Sequence, residues 1–174
     1  MCGVAGFISS QLSNPIKVMN SMIGTLFHRG PDNTSIWNDL NGVNMAHSRL
    51  SILDLSEFGN QPIFSKSGRY VMVFNGEIYN HQVLRREINN LTNIKWKGSS
   101  DSETFIELLD YFGIKEALIK TRGMFVISVW DIKKKRLTKF KNTNLSNVIE
   151  ALACQKVNIK NYNTAPILSK ILQD

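Results

Sequence analysis

The sequence predicts an α+β layered domain, and three observations carry that reading. CGVAGFIS, YVMVF and GMFVISVWD are short, nearly continuous apolar runs of the kind that forms strands buried on both faces. The strand-like runs come in pairs with helical-period segments between them, which favours separate layers over a regular alternating wrap. The chain has 174 residues and is 43% hydrophobic, enough to bury a full core within one domain of ordinary size.

CGVAGFIS reads as the first buried strand. Asn14 followed by Pro15 is an N-cap and first-turn pair, after which Ile16, Met19, Met22, Ile23 and Leu26 recur at helical spacing until HRGP stops the run. VNMAHSRLSIL looks extended, with GNQP as a turn behind it. YVMVF is a strand that runs into NGEIYN, where Asn75-Gly76 marks a tight turn with unusual backbone angles. HQVLRREINN is helical and IKWKG a brief strand. Ser100 and Glu103 have the S-x-x-E spacing of a capping box for the helix DSETFIELLDYFG, whose Phe105, Leu108, Leu109 and Phe112 face a core. GMFVISVWD is another buried strand, and IKKKRL begins a further one. From Lys141 to Asp174 the chain holds six asparagines and little strand-like pattern, although Ser146 is placed to cap a short helix carrying Val148, Ile149 and Leu152.

Composition excludes several function classes. No apolar run approaches the roughly 20 residues of a membrane span, and the N-terminus lacks the basic and apolar regions of a secretory signal, so no membrane association and a cytoplasmic setting are expected. The only cysteines, Cys2 and Cys154, give neither a disulfide framework nor a cysteine zinc site. His28, His47 and His81 have no metal-ligand spacing and read as polar or structural residues. The net charge of +7 belongs to the tail: residues 1–130 hold 12 Lys+Arg against 11 Asp+Glu, and residues 131–174 hold 9 against 3. A solvated hairpin turn accounts for IKKKRLTKFK more simply than nucleic-acid binding, because no aromatic-basic interleaving accompanies it.

Cys2 stands directly behind the initiator methionine. With Met1 removed, one residue carries a thiol and a free α-amine, groups that titrate near pKa about 8.5 and about 7.7 to 8.0. That pairing is a nucleophile with its own base attached.

Four further stretches give Cys2 a context: FHRGPD, HSRLSILDLS, VFNGEIYN and GSSDSE. With MCGVAGF they resemble, in order and approximate spacing over about residues 2–131, the class II glutamine amidotransferase domain of asparagine synthetase type. The resemblance implies a four-layer αββα sandwich of the N-terminal-nucleophile hydrolase type, incomplete at its C-terminus, with the three apolar runs as central strands. It also implies hydrolysis of L-glutamine to glutamate and ammonia, the ammonia serving asparagine synthesis.

Amide hydrolysis needs a nucleophile, oxyanion donors, a proton carrier and charge partners for the amino-acid end. Cys2 would attack and its own α-amine would carry the proton. The Asn75 side-chain amide and the Gly76 backbone N–H resemble the family's oxyanion hole. Arg49 can hold the α-carboxylate through a bidentate fork, which lysine would not reproduce. Glu77 and Asp101 would receive the α-ammonium, and Leu50, Ser51, Ile52 and Leu53 would line the pocket. Arg29 and Asp32 would shape the loop near the nucleophile. GSSDSE has one glycine and sits where the ammonium contact belongs, so it is not read as a nucleotide loop.

The family pattern fades after Trp130-Asp131. The expected division is an amidotransferase domain over residues 2–140 and a divergent basic, asparagine-rich tail over 141–174, with no synthetase domain. ATP and magnesium would belong to that missing domain, so no cofactor is expected here. A separate synthetase subunit or self-association would complete the partners. The alternative reading is a non-catalytic remnant or interaction module that retains the site residues.

Overall fold

The computed structural model of the protein describes residues 2–142 and 157–158. Within them the chain forms two antiparallel sheets. The first contains β1 (Gly3–Ile8), β2 (Asn33–Asn38) and β3 (Val43–Arg49) in the order β1-β3-β2. The second contains β4 (Ile63–Phe64), β5 (Tyr70–Ile78), β6 (Gly123–Asp131), β7 (Arg136–Asn142) and β8 (Val157–Asn158) in that order. Four α-helices are α1 (Pro15–Gly24), α2 (His81–Leu91), α3 (Asp101–Phe112) and α4 (Ile114–Lys120).

The layering follows from strand alternation, which sends neighbouring side chains to opposite faces. In β1 and β3, Val4, Val43 and Met45 point to one face and meet Val71, Val73, Trp130 and Leu137 of the second sheet. The opposite face presents Ala5, Phe7 and Ala46 to Met19 and Ile23 of α1. On the far side of the second sheet, Met72, Phe74, Ile127 and Val129 pack beneath Leu84, Ile88, Phe105, Leu108 and Leu109. The result is helix, sheet, sheet, helices. Each sheet packs against the other on one face and beneath helices on the opposite face, which is why β1, β5 and β6 read as nearly continuous apolar runs.

Local signals act as expected at most helix ends. The Asn14 side chain accepts the Lys17 N–H at 3.0 Å, and Pro15 occupies the first turn. Such a cap stabilises a helix by about 1 kcal/mol. α3 starts at Ser100, whose Oγ accepts the Glu103 N–H at 3.1 Å, and stops at Gly113, whose φ of 82° suits glycine. Phe105, Leu108 and Leu109 are buried and Phe112 packs beside them.

Other expectations are corrected. The capping box is only half formed: the Glu103 carboxylate accepts the Lys97 and Gly98 N–H groups and pairs with Arg85, and does not return to Ser100. IKWKG is not a strand. Its backbone donors go to that carboxylate, and Trp96 lies under the Arg85 guanidinium at 4.1 Å, so the segment is held as a loop. Asn75-Gly76 is not a turn either; β5 continues in register with β6 to Ile78, and Gly76 takes φ of 145° inside the strand. CGVAGFIS forms β1, but β3 is the middle strand of that sheet. β1 is apolar because α1 and the second sheet cover its faces, not because both its edges are paired. Strands β2 and β4 and helix α4 had no clear sequence signal: β2 is half-exposed and β4 has two residues.

The basic run forms the turn between β6 and β7, with Lys135 at φ of 47°. Beyond Asn142 only Val157 and Asn158 are described, and they pair with Leu137 and Arg136. The helix expected around Ser146 and Val148 lies outside the described residues. Among the described residues no helix is long and apolar enough to cross a membrane.

Candidate active site

A cavity of about 230 Å³ opens where the cavity-side edge of β5 meets the end of β3, the loop after it and the start of α3. Cys2, Arg49, Leu50, Ile52, Leu53, Asn75, Gly76, Glu77 and Asp101 all line it. Of the residues expected to react with the substrate or line its pocket, Ser51 alone lies elsewhere. It lines a neighbouring cleft with Asp32 and Asn60, and its N–H donates to Asp32 at 2.7 Å.

Cys2 is half-buried just ahead of β1, beside the end of β3. Its Sγ accepts the Leu50 N–H at 3.3 Å and lies 3.6 Å from the Leu50 carbonyl oxygen. The Arg29 Nε–H donates to the Cys2 carbonyl at 3.2 Å. The nucleophile candidate is thus held at its sulfur and at its backbone, and Asp32 ties down the adjoining loop.

Arg49 ends β3 and is buried. One terminal nitrogen donates to the Ser56 carbonyl at 2.7 Å and to Asn60 Oδ1 at 2.8 Å, and the other donates to the Asp54 carbonyl. A guanidinium has five N–H donors, so two remain for a ligand after these three. Gly59 lies against the guanidinium so closely that a Cβ there would collide with it. The loop between β3 and β4 therefore folds around Arg49 and fixes it in plane.

Asp54 joins that loop to the opposite wall. Its side chain accepts the Ser56 N–H at 2.9 Å and hydroxyl at 2.6 Å, and its second oxygen accepts the Ser99 N–H at 2.7 Å. Although burial opposes ionisation, these donors hold its pKa down to about 2. Arg85 supports the same wall by donating to the Gly98 carbonyl at 2.9 Å and to Thr104 Oγ1 at 3.0 Å. Asp101, at the start of α3, accepts the Ile78 N–H at 2.9 Å and the Ser102 N–H at 2.8 Å. Burial raises its pKa despite those bonds. Glu77 is exposed at the cavity rim.

Strand alternation decides which way the β5 peptides face. Tyr70 bonds to Ser65 through both backbone groups, and Met72 is opposite Ile63 of β4. β4 ends there. Phe74 then gives its N–H to Gln61 Oε1 at 2.6 Å, and its carbonyl accepts from His47 Nε2 at 3.1 Å. Ile78 gives its N–H to Asp101. Gly76 falls on the same side of the alternation, so its N–H faces the cavity. A Cβ on Gly76 would run into the Met124 carbonyl oxygen and Phe125, so only glycine fits.

His47 and Gln61 line the cavity too, and sequence reading gave neither a role in the site. His47 is fully buried, and burial lowers its pKa to about 4, so the ring is neutral near pH 7. Since a carbonyl only accepts, Nε2 carries the proton; Nδ1 is buried with no hydrogen-bond partner among the described residues. One signal was available: His47 is a lone ring among the buried small and apolar residues of VNMAHSR. No cluster of three metal-binding side chains occurs among the described residues.

The chain is similar to several known proteins. A family described as "Glutamine amidotransferase domain" matches residues 1–142. "Asparagine synthetase [glutamine-hydrolyzing] 3" of Bacillus subtilis (strain 168) is 32% identical over 142 residues, covering 79% of this chain and 22% of that protein. "Amidase chry2" of Gibberella zeae is 32% identical over 149 residues, again covering 79% and 22%. "Asparagine synthetase B [glutamine-hydrolyzing]" of Escherichia coli (strain K12) is 38% identical over 107 residues, covering 62% of this chain and 18% of that protein. The chain thus spans about a fifth of the length of these relatives. Among solved structures, the glutamine phosphoribosylpyrophosphate amidotransferase of B. subtilis superimposes with a TM-score of 0.62 at 12% identity, covering 90% of this chain and 44% of that one. That likeness establishes the N-terminal-nucleophile hydrolase fold.

Proposed function

The chain belongs to the glutamine amidotransferase domain family, and from that premise we propose that it hydrolyses L-glutamine to glutamate and ammonia with Cys2 as nucleophile. The supporting observation is the cavity that gathers Cys2, Arg49, Asn75, Gly76, Glu77 and Asp101 from four separate stretches of sequence.

In this mechanism the amino-acid end of glutamine is bound first. Arg49 offers its two remaining N–H groups to the α-carboxylate, and Asp101 with Glu77 takes the α-ammonium. The side-chain amide then lies toward Cys2. The sulfur attacks the amide carbon, and the carbonyl electron pair moves onto oxygen, where the Asn75 amide and the Gly76 N–H donate. The α-amine of Cys2, free once Met1 is removed, takes the thiol proton and passes it through water to the leaving nitrogen, which departs as ammonia. Water attacks the resulting thioester, releasing glutamate and restoring the thiol.

The domain division stays part of the same proposal. Residues 2–140 form the amidotransferase unit and 141–174 a divergent basic, asparagine-rich tail. Ammonia released here would feed asparagine formation on a synthetase domain or subunit. The site's polar groups serve glutamine binding and acyl transfer, and no step needs a cofactor.

The test is glutamine turnover by purified, monodisperse protein, with intact mass to establish removal of Met1. Cys2→Ala should abolish turnover, and a glutamine-like electrophile should attach to Cys2 alone. Activity that survives Cys2→Ala would end the assignment. A folded, correctly processed chain with no turnover would leave the interaction-module reading in its place.

A further inference from the structure

Among the described residues the edge of β5 beyond Met72 has no neighbouring strand, because β4 has only two residues and its pairing stops at Ile63. Buried peptide groups on such an edge need partners from elsewhere. At Phe74 two side chains supply them. Gln61 Oε1 accepts the N–H at 2.6 Å, and His47 Nε2–H donates to the carbonyl at 3.1 Å. Both side chains are buried, one from the opposite sheet and one from the loop before β4. They line the cavity, and the mechanism proposed above assigns neither of them a contact with glutamine.

We infer that His47 and Gln61 are positioning residues that aim the oxyanion donors Asn75 and Gly76 at the reacting amide. The inference rests on the glutaminase reading above. The Phe74 carbonyl belongs to the same planar peptide as the Asn75 nitrogen. The His47 bond therefore fixes the plane from which the Asn75 Cα, and its side chain, depart. Gln61 fixes the preceding plane. Two residues beyond Gly76, Asp101 holds the Ile78 N–H at 2.9 Å, so the Gly76 peptide is bracketed by held positions on both sides. Gly76 needs this bracket more than an ordinary strand residue does, since at φ of 145° it occupies backbone space open to glycine and lacks a side chain to anchor it. Donors fixed before the reaction stabilise the developing oxyanion without reorganising, and a displacement of about 1 Å is enough to forfeit much of that effect.

The same two bonds also satisfy buried peptide groups, so the experiment must separate catalysis from stability. His47→Gln can place an amide N–H near the Nε2 position, whereas the shorter His47→Asn cannot; Gln61→Met keeps length and removes the acceptor. For each variant, ammonia release is measured per folded molecule, with thermal unfolding to count folded protein. Glutamine affinity is measured separately in a Cys2→Ala background. His47→Asn and Gln61→Met should each lower kcat by roughly tenfold to a hundredfold, approaching the loss for an oxyanion donor. KM and glutamine affinity should stay within about threefold, because binding energy common to ground and transition states is untouched. His47→Gln should recover most of kcat. If His47→Asn does not fold, Gln61→Met carries the same comparison. Folded variants with wild-type kcat, or a loss confined to KM, would overturn the positioning role and leave the glutaminase reading intact. A wild-type chain without Cys2-dependent turnover would end both.

Discussion

Lowering the pH from 7 to 4 should remove about 3 kcal/mol of stability through His47 alone. Burial holds its pKa at about 4 in the folded chain against 6.5 for an ordinary histidine, and the nearby Arg49 charge acts in the same direction. The Phe74 carbonyl opposes the shift by accepting from the ring, but burial dominates. Between pH 6.5 and about 4 the unfolded chain therefore binds a proton that the folded chain refuses, so stability falls as pH falls through that window. At about 1.4 kcal/mol per pH unit the interval is worth about 3 kcal/mol, all of it present above pH 6.5. Glu107 works in the opposite sense. Burial pushes its carboxyl up to about 7 while it accepts the Lys66 N–H at 2.9 Å. The folded chain keeps that proton where the unfolded chain releases it, so acid favours folding through Glu107. Glu107→Gln removes the opposing group and retains an acceptor for Lys66. Urea unfolding of Glu107→Gln and of Glu107→Gln/His47→Gln, at steps from pH 7 to 4, isolates His47 as the difference between the two curves. That difference should change by about 3 kcal/mol. A change below about 1 kcal/mol would show that the ring is hydrated or already charged, and would refute the argument from burial.

Three further outcomes test the site. Asn75→Ala should lower kcat by roughly a hundredfold or more with little effect on KM, since it deletes a donor used in the transition state; steady-state ammonia release decides it. Arg49→Lys should raise KM for glutamine by roughly tenfold or more, the value of one charge-assisted hydrogen bond of about 1.5–3 kcal/mol, because an ammonium cannot reproduce the fork. An unchanged KM would remove Arg49 from the carboxylate site. Gly76→Ala should cost roughly 1–3 kcal/mol of stability and most of the turnover, because its backbone angle is strained for alanine and its Cβ would meet the Met124 carbonyl; thermal unfolding paired with the ammonia assay measures both.

The apolar runs and helix signals were legible because each is local. YVMVF and most of GMFVISVWD are buried on both faces, and their composition records that directly. Asn14-Pro15 and the phenylalanine and leucine spacing of α3 are likewise properties of a few neighbouring residues. IKWKG misled for the complementary reason. Its alternation suggests a strand, but Glu103 of the helix that follows and Arg85 of the helix that precedes claim its backbone and tryptophan. Asn75-Gly76 has turn composition, yet pairing with β6 holds it extended, and the glycine is required for close approach to Met124.

By itself the sequence determined the residue types a glutaminase chemistry uses and the order in which they occur. A thiol at position 2, a guanidinium at 49, an Asn-Gly pair at 75–76 and a carboxylate at 101 can be read without coordinates. Only the tertiary structure decided that they share one cavity, that Ser51 turns into the neighbouring cleft, and that three of the Arg49 donors are already engaged. It alone placed His47 and Gln61 on the Phe74 peptide, from the opposite sheet and from the loop before β4. The physical reason is that a side chain's type is set by its codon, whereas its partners are set by which unpaired backbone groups the sheets bury beside it.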